Sequence, residues 1–421
     1  MSRNPLTAAQ VAARLGVKQS TVYAYVSRGA LHRTVAEDGR TSRFDAAEVE
    51  ELARRGRPRT DSRRLGTVDV VLSSSLTSMV DDELAYRGRR AVELARSSSF
   101  EAVAEFLWSG LAPELAGEPP TWTARAEGLD TARAVTRALP TASPVTEQLA
   151  VVTAALACAN PLRIDLQPEA VRRHAATLIA TLVEVLPPMA GAPGLTGRST
   201  RRARPDAPSG TSVAERLWSR LTSESATPKR IRVLDAALIL LADHELATST
   251  LAARLAASTR ADPYAVVLSG LGAVSGLLHG AAGHAPFQML TDARSLGSPE
   301  RAVALALATH GAVPGMGHPL YAEADPRATC LLELLMPLVS RRDRVVLEGV
   351  LDAAEATSRS RPNIDLATAA LAFTMQMPSA ATEAIFALAR MAGWVAHAIE
   401  EYGEAPLRFR TRALYDGPPV A

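Results

Sequence analysis

From Ala91 to the C-terminus the chain reads as an almost unbroken succession of amphipathic helices, and this constrains the fold more than any other feature. Ala, Leu, Val and Arg dominate while aromatic residues make up only 4%, a balance that favours helix over strand. Pro/Gly/Ser/Arg-rich interruptions at 111–120 and 187–212 break the succession, and the second reads as a surface loop. Ahead of the helices, segments 68–72 and 83–86 flank a turn-rich stretch and are expected to form a short pair of strands. With 421 residues and a 47% apolar fraction, the chain has room for two to four domains and an ample core. It shows no internal repeat.

Charge divides the chain. Residues 1–64 hold thirteen Lys/Arg against seven Asp/Glu, a surplus of six, whereas the net charge of the whole is only +2. A basic segment on a mildly acidic body implies two separate tasks. Thr7 can cap a short helix whose Val11 and Leu15 share a face, Gly16 supplies a tight turn, and a second helix follows with Val22 and Val26 inward. This segment resembles the excisionase and MerR-type winged helix-turn-helix, with a hairpin over 33–45 turned at Asp38-Gly39 and a helix over 46–55. Residues 54–64 read as an exposed basic linker. Lys18, Gln19, Thr21 and Tyr23 of the second helix, with Arg28, Arg33, Arg40 and Arg43, are the candidate DNA contacts, though such units also serve as packing modules. The two cysteines, Cys158 and Cys330, exclude a disulfide framework and cannot alone make a zinc site. No apolar signal segment or membrane-length apolar run is visible, so a cytoplasmic protein is expected.

Two of the eight histidines stand in glycine-rich settings, GLLHGAAG around His279 and PGMGHPLY around His318, with Asp325-Pro326-Arg327 just beyond. Glycines there interrupt helices and let a substrate approach the backbone. A single such histidine is more often a helix-end residue than a catalyst. Asp365, in RPNIDL ahead of an apolar helix, reads on its own as a helix N-cap. His244, in ADHEL within an apolar stretch, reads as a buried, paired histidine. Arg390 sits in a mostly apolar helix, where a guanidinium is costly unless it meets an anion. Arg410 reads as part of a solvated tail.

Taken together, ADHELATST, GLLHGAAG, PGMGHPLYAEADPRA, RPNIDLATAAL and IFALARMAGWVAH occur in the order and approximate spacing seen in citrate synthases, and residues 84–110 resemble that family's N-terminal region. The resemblance covers about 68–421. It implies an all-α fold of two domains behind the winged helix-turn-helix: residues 1–58, a linker at 59–67, a large domain at 68–278 and 375–421, and a small domain at 279–374. It also implies a catalytic set of His279, His318 and Asp365. Asp365 would take the proton from the thioester α-carbon, His279 would donate to the thioester oxygen, and His318 would polarise the 2-oxo carbonyl. A helix N-terminus can keep such a histidine neutral. His244, Arg327 and Arg390 would bind oxaloacetate, and Arg410 would reach the partner subunit's site in an obligate homodimer. Val313, Pro314, Gly315, Met316 and Gly317 would receive coenzyme A through backbone groups. No metal and no cofactor beyond the thioester substrate is implied.

The chain departs from the family pattern at Gly283 and Ala322, where many members carry Asn and Arg or Lys respectively, and at Pro319, where some carry Arg. Two classes of function stay open on sequence alone. One is a synthase joining acetyl-CoA or propionyl-CoA to oxaloacetate, giving citrate or 2-methylcitrate. The other is a DNA-binding regulator whose synthase-like body senses an acyl-CoA or a 2-oxo acid. Retention of all three catalytic groups favours the synthase, because a sensor has no use for the base.

Overall fold

Thr7 opens the first helix in the way its side chain allows: its Oγ1 accepts from the Gln10 N–H at 3.3 Å, and the Gln10 Oε1 accepts the Thr7 N–H at 2.8 Å. This reciprocal cap starts α1 (Ala8–Leu15), which is followed by α2 (Gln19–Ser27). The computed structural model describes residues 6–15, 17, 19–27, 31–35, 42–45, 48–49, 71–113, 120–140, 142–189, 211–276, 279–410 and 417. It divides into two units, Met1–Leu72 and Ser73–Ala421. In the first, β1 (Leu6–Thr7), β2 (Arg33–Val35) and β3 (Ser42–Phe44) form an antiparallel sheet in the order β1-β3-β2. Val11, Val22, Leu31, Phe44 and Val49 make its core, with Leu15 and Val26 packed alongside. The hairpin tip at Asp38-Gly39, Gly16, most of the helix expected at 46–55 and the linker at 59–67 lie outside the described residues.

The second unit begins with a small sheet whose pairing differs from expectation. The strand that meets β5 (Glu83–Tyr86) is β4 (Thr77–Val80), and β6 (Arg89–Arg90) pairs on the other side of β5; of the strand expected at 68–72, residues 68–70 lie outside the described residues and 71–72 belong to no strand. Asp81 and Asp82 both take positive φ, 52° and 61°, so two residues suffice for the reversal. This short turn sets Val80 opposite Glu83 and brings Thr77 to Tyr86.

Helices make up the rest: α3 (Ala91–Ser97), α4 (Phe100–Ser109), α5 (Ala126–Ala138), α6 (Val145–Ala159), α7 (Pro168–Val185), α8 (Val213–Leu221), α9 (Pro228–Leu241), α10 (Thr248–Ser258), α11 (Pro263–Val274), α12 (His284–Leu296), α13 (Pro299–His310), α14 (Pro326–Leu335), α15 (Arg341–Ser358), α16 (Ile364–Thr374) and α17 (Ala380–Tyr402). The organising element is α17. Residues on all its faces are buried between Ala381 and Ala398, as expected of a helix enclosed by others. It packs against α4, α6, α7, α9, α10 and α11. Gly393 is required where α17 meets the end of α9, since a Cβ there would lie 2.4 Å from the Ala242 carbonyl and from the Asp243 carboxylate. Helices α12 to α16 pack largely on one another, and α16 and α14 connect that group to α17 and α9.

Candidate active site

Asp365 occupies a different place in its helix from the one its sequence context indicated. The cap of α16 is Asn363, whose Oδ1 accepts from the Asp365 N–H at 3.0 Å and the Leu366 N–H at 3.3 Å. The Asn363 Nδ2 donates to the Gly317 carbonyl at 2.9 Å, so one amide closes the helix and ties it to the histidine-bearing loop. Asp365 therefore stands in the first turn with its carboxylate released from capping, and no described residue hydrogen-bonds that carboxylate. Burial raises its pKa from the usual carboxylate range to about 6, with Arg327 and Arg390 pulling against the shift and Asp325 reinforcing it. A carboxylate tuned toward neutrality is suited to take a proton from carbon.

The loop before α16 is backed by the segment carrying the second glycine-rich motif. Met316 and Pro362 form an antiparallel bridge, the Gly317 N–H donates to the Arg361 carbonyl at 2.8 Å, and the Asn363 N–H donates to the Gly315 carbonyl at 2.9 Å. Gly315 has φ of 76°, and a Cβ there would lie 2.6 Å from that of Leu366, so no other residue fits. Val313 is buried beneath this loop, and Pro314 and Met316 are half-buried in it. Of the backbone groups that sequence reasoning offered to coenzyme A, the Gly315 and Gly317 carbonyls and the Gly317 N–H are therefore already engaged.

His318 follows directly. Its Nδ1 accepts the Leu320 N–H at 3.1 Å, which places the proton of the neutral ring on Nε2. Burial, and then the charge of Arg327, lower its pKa to about 4, with Asp325 opposing. His244 meets the same loop from the other side. Its Nε2 is 2.9 Å from the Tyr321 hydroxyl, and its ring stands edge-on to that of His318 at 5.1 Å between centroids. Burial, Arg327 and Arg390 all hold His244 neutral. His279, immediately before a 3₁₀ turn at Gly280–Gly283, has its Nε2 2.8 Å from the Ser249 hydroxyl and its ring edge-on to Phe386 at 5.5 Å. Its pKa also falls to about 4, through burial first and Arg390 second. Burial, more than a helix N-terminus, keeps it neutral.

Two arginines, each 2% exposed, supply the positive charge. Asp325 grips Arg327 bidentately, at 2.9 Å and 2.8 Å. The same carboxylate caps α14 and accepts the Ile364 N–H at 3.0 Å, fixing Arg327 relative to the first turn of α16. Arg390 lies over the Phe386 ring at 4.8 Å and spends only Nε on the protein, donating to the Leu241 carbonyl at 2.7 Å. Its terminal nitrogens hydrogen-bond no described residue. A buried guanidinium with donors left over is a site for an anion.

Behind His244 runs a chain of buried charges. The Asp243 carboxylate meets the Thr77 hydroxyl and, at 3.2 Å, the His397 Nε2. The His397 Nδ1 lies 2.9 Å from Arg254, which also donates to Glu400 and Glu401. Arg408 closes the chain with two 2.7 Å bonds to Glu401. Burial pushes the Asp243 carboxyl up, but its pairing with His397, the charge of Arg390 and the Thr77 hydrogen bond outweigh that and hold it below the ordinary carboxylate value.

The structure thus brings His244, His279, His318, Arg327, Asp365 and Arg390 into one cluster linked by shared contacts and electrostatics. Arg410 does not join it. It is exposed near the end of the described chain, and no hydrogen bond or ion pair joins it to a described site residue. Sequence reasoning missed Ser249, Phe386 and the anchoring roles of Asn363 and Tyr321. All four stand inside the quoted motifs, but the contacts of Ser249 and Phe386 with His279 cross large sequence separations. In the winged unit, Gln19 and Tyr23 are exposed, Thr21 and Arg43 are half-buried, and Lys18, Arg28 and Arg40 lie outside the described residues. No helix among the described residues is long and apolar enough to cross a membrane, and no group of three or more His, Cys, Asp or Glu among them is placed to hold a metal.

A predominantly helical body with neutral histidines, a raised-pKa carboxyl and two buried arginines defines an enzyme site for a small anionic substrate. The family model described as "Citrate synthase, C-terminal domain" matches residues 66–412, and the chain belongs to the citrate synthase family. A model described as "Helix-turn-helix domain" matches residues 5–57. The chain is 30% identical to a citrate synthase of Synechocystis, covering 84% of this chain and 90% of that one. It is 29% identical to 2-methylcitrate synthase 2 of Corynebacterium glutamicum, covering 85% and 95%. Among solved structures, the citrate synthase of Thermotoga maritima superposes with a TM-score of 0.62 at 26% identity, covering 84% of this chain and 95% of that one. The Thermoplasma acidophilum enzyme, solved with carboxymethyl coenzyme A and oxaloacetate, shares the fold with a TM-score of 0.64 at 23% identity over 84% and 95%.

Proposed function

We propose that the protein condenses acetyl-CoA with oxaloacetate and water to give citrate and free coenzyme A, with propionyl-CoA as the alternative acyl donor. The observation that carries this reading is Asp365, freed from capping by Asn363 and raised to about 6 among neutral histidines and buried arginines. Asp365 takes a proton from the thioester α-carbon. With the Ser249 hydroxyl donating to the His279 Nε2, 2.8 Å away, the ring proton stands on Nδ1, where it bonds the thioester oxygen as the enolate forms. The enolate carbon attacks the oxaloacetate carbonyl, the His318 Nε2–H hydrogen-bonds the developing alkoxide, and the proton that Asp365 took from carbon returns to that oxygen through the solvent of the site. Water then attacks the thioester carbonyl, the C–S bond breaks and coenzyme A leaves as its thiol.

Arg327, Arg390 and His244 hold the oxaloacetate carboxylates, and Arg410 completes the site of the partner subunit in a homodimer. The remaining backbone groups of Val313–Gly317 receive the coenzyme. Residues 279–374 move as a smaller domain over the bound substrates, excluding water until the carbon–carbon bond has formed. The winged unit contacts DNA through Gln19, Thr21 and Tyr23 of α2 and Arg43 of β3, with Lys18, Arg28 and Arg40; Tyr23 is 42% exposed, unusual for an aromatic in so small a unit. A regulator reading of the whole chain has no supporting contact, whereas the tuned base serves turnover.

The test is oxaloacetate-dependent release of thiol from acetyl-CoA, with propionyl-CoA in parallel. Release from either supports the synthase reading, and the ratio of kcat/KM values ranks the acyl donors. A folded protein that binds oxaloacetate but releases no thiol from either donor overturns it.

A further inference from the structure

The β4–β5 hairpin carries none of the residues assigned to chemistry, yet it touches both loops that deliver histidines to the site. At its base the Thr77 hydroxyl bonds the Asp243 carboxylate, and the Tyr86 hydroxyl lies 3.1 Å from the Asp243 carbonyl and 3.0 Å from that of Ile239. The hairpin thus holds the residue next to His244. At its tip the Asp82 carboxylate accepts the Ala322 N–H, 3.0 Å from each oxygen, and the Glu323 N–H at 3.2 Å. Those amides follow Tyr321, whose hydroxyl is 2.9 Å from His244 and whose ring is 4.9 Å from that of His318.

The tip is not built for an easy turn. Asp82 has φ of 61° at the position of a two-residue turn where glycine is favoured. A side chain there carries a conformational cost that glycine avoids. What Asp82 supplies in return is a carboxylate that captures two backbone amides of the His318 loop.

We propose that Asp82 is a positioning residue that latches the loop 318–323 to the hairpin already holding Asp243, so that His318 and His244 are presented together to the 2-oxo acid. The inference rests on the reading of those two histidines as 2-oxo-acid ligands. Without the latch the competent arrangement is less populated, and apparent affinity for the 2-oxo acid falls by that fraction. Acyl-CoA binding, which relies on His279 and the 313–317 loop, changes much less.

The experiment compares full-length Asp82→Gly and Asp82→Asn with the parent chain in thermal midpoint, KM for oxaloacetate and for acetyl-CoA, and amide exchange at Ala322 and Glu323. For Asp82→Gly, relief of the turn holds the midpoint level or raises it, while exchange at the two amides quickens. Its KM for oxaloacetate rises by about fivefold or more, with that for acetyl-CoA within about twofold. Asp82→Asn falls between. Unchanged exchange, or faster exchange with an unchanged oxaloacetate KM, overturns the latch. So does a parallel loss of midpoint and of both KM values, which marks the hairpin as structural only. Should the parent chain show no turnover, the synthase reading fails separately, and the latch is judged by exchange alone. Slowing of Ala322 and Glu323 exchange by oxaloacetate that Asp82→Gly abolishes supports it; slowing that persists in the variant overturns it.

Discussion

Asp365 and the histidines around it are shifted in ways that complement one another. Above about pH 4, His279 and His318 are neutral donors, so the base alone sets the acid limb of the rate. Turnover is therefore expected to rise with pH through about 6 and level off above it, which a kcat–pH profile checks directly. The same shifts act on stability with opposite signs. His279 and His318 have folded pKa values below the ordinary one, so the unfolded chain binds their protons first, and stability is lost as pH falls from about 6.5 toward 4. Asp365 is raised, so its ionisation costs stability as pH climbs from 3.8 to about 6, and the penalty persists above. Asp365→Asn removes that penalty and is expected to stabilise the protein by on the order of 1–2 kcal/mol after solvent screening, read by urea unfolding at pH 7. A less stable Asp365→Asn would mean that the carboxylate is satisfied rather than poised.

Elements place these residues by devices of unequal visibility in one dimension. Helices were readable because their apolar periodicity is local; four of the five motif segments coincide with turns and helix starts that bear the site, and the fifth lies within α17. The partner of β5 was not readable, because two left-handed aspartates fix a hairpin at 77–86 that pairs β5 with Thr77–Val80. Asp365 looked like a cap because Asp caps well; Asn363, two residues earlier, does that work and binds Gly317 besides. Ser249 stood inside the ADHELATST motif, but its contact with His279, thirty positions away, could not be read from it. Asn363→Ala is expected to cost about 1 kcal/mol in stability through the lost cap. Because the cap also orients the Asp365 turn and the His318 loop, kcat should fall with it, whereas loss of stability with unchanged kcat would reduce Asn363 to a cap alone.

At the scale of the whole molecule, Arg410 is exposed and apart from the site of its own chain, and a buried ion network from Arg408 to Asp243 anchors the segment leading to it. If the tail serves a partner subunit, Arg410→Ala and Asp365→Asn dimers are each inactive. Exchanged in equal amounts, they should regain about a quarter of parental activity, because one of the two sites in each mixed dimer is intact. No recovery after verified exchange would place Arg410 outside catalysis. The winged unit is tested separately by fluorescence anisotropy with duplex DNA, where binding that weakens with salt and disappears on removal of residues 1–58 is expected. Binding that survives the removal would assign the contact to the helical body.

The most direct test of the central claim is thiol release by Asp365→Asn beside calorimetric titration of the same variant with oxaloacetate. The account requires turnover to fall by about a thousandfold while oxaloacetate binds as tightly as to the parent chain. Turnover within about tenfold of the parent, with binding intact, would contradict it, because proton removal would then belong to another group.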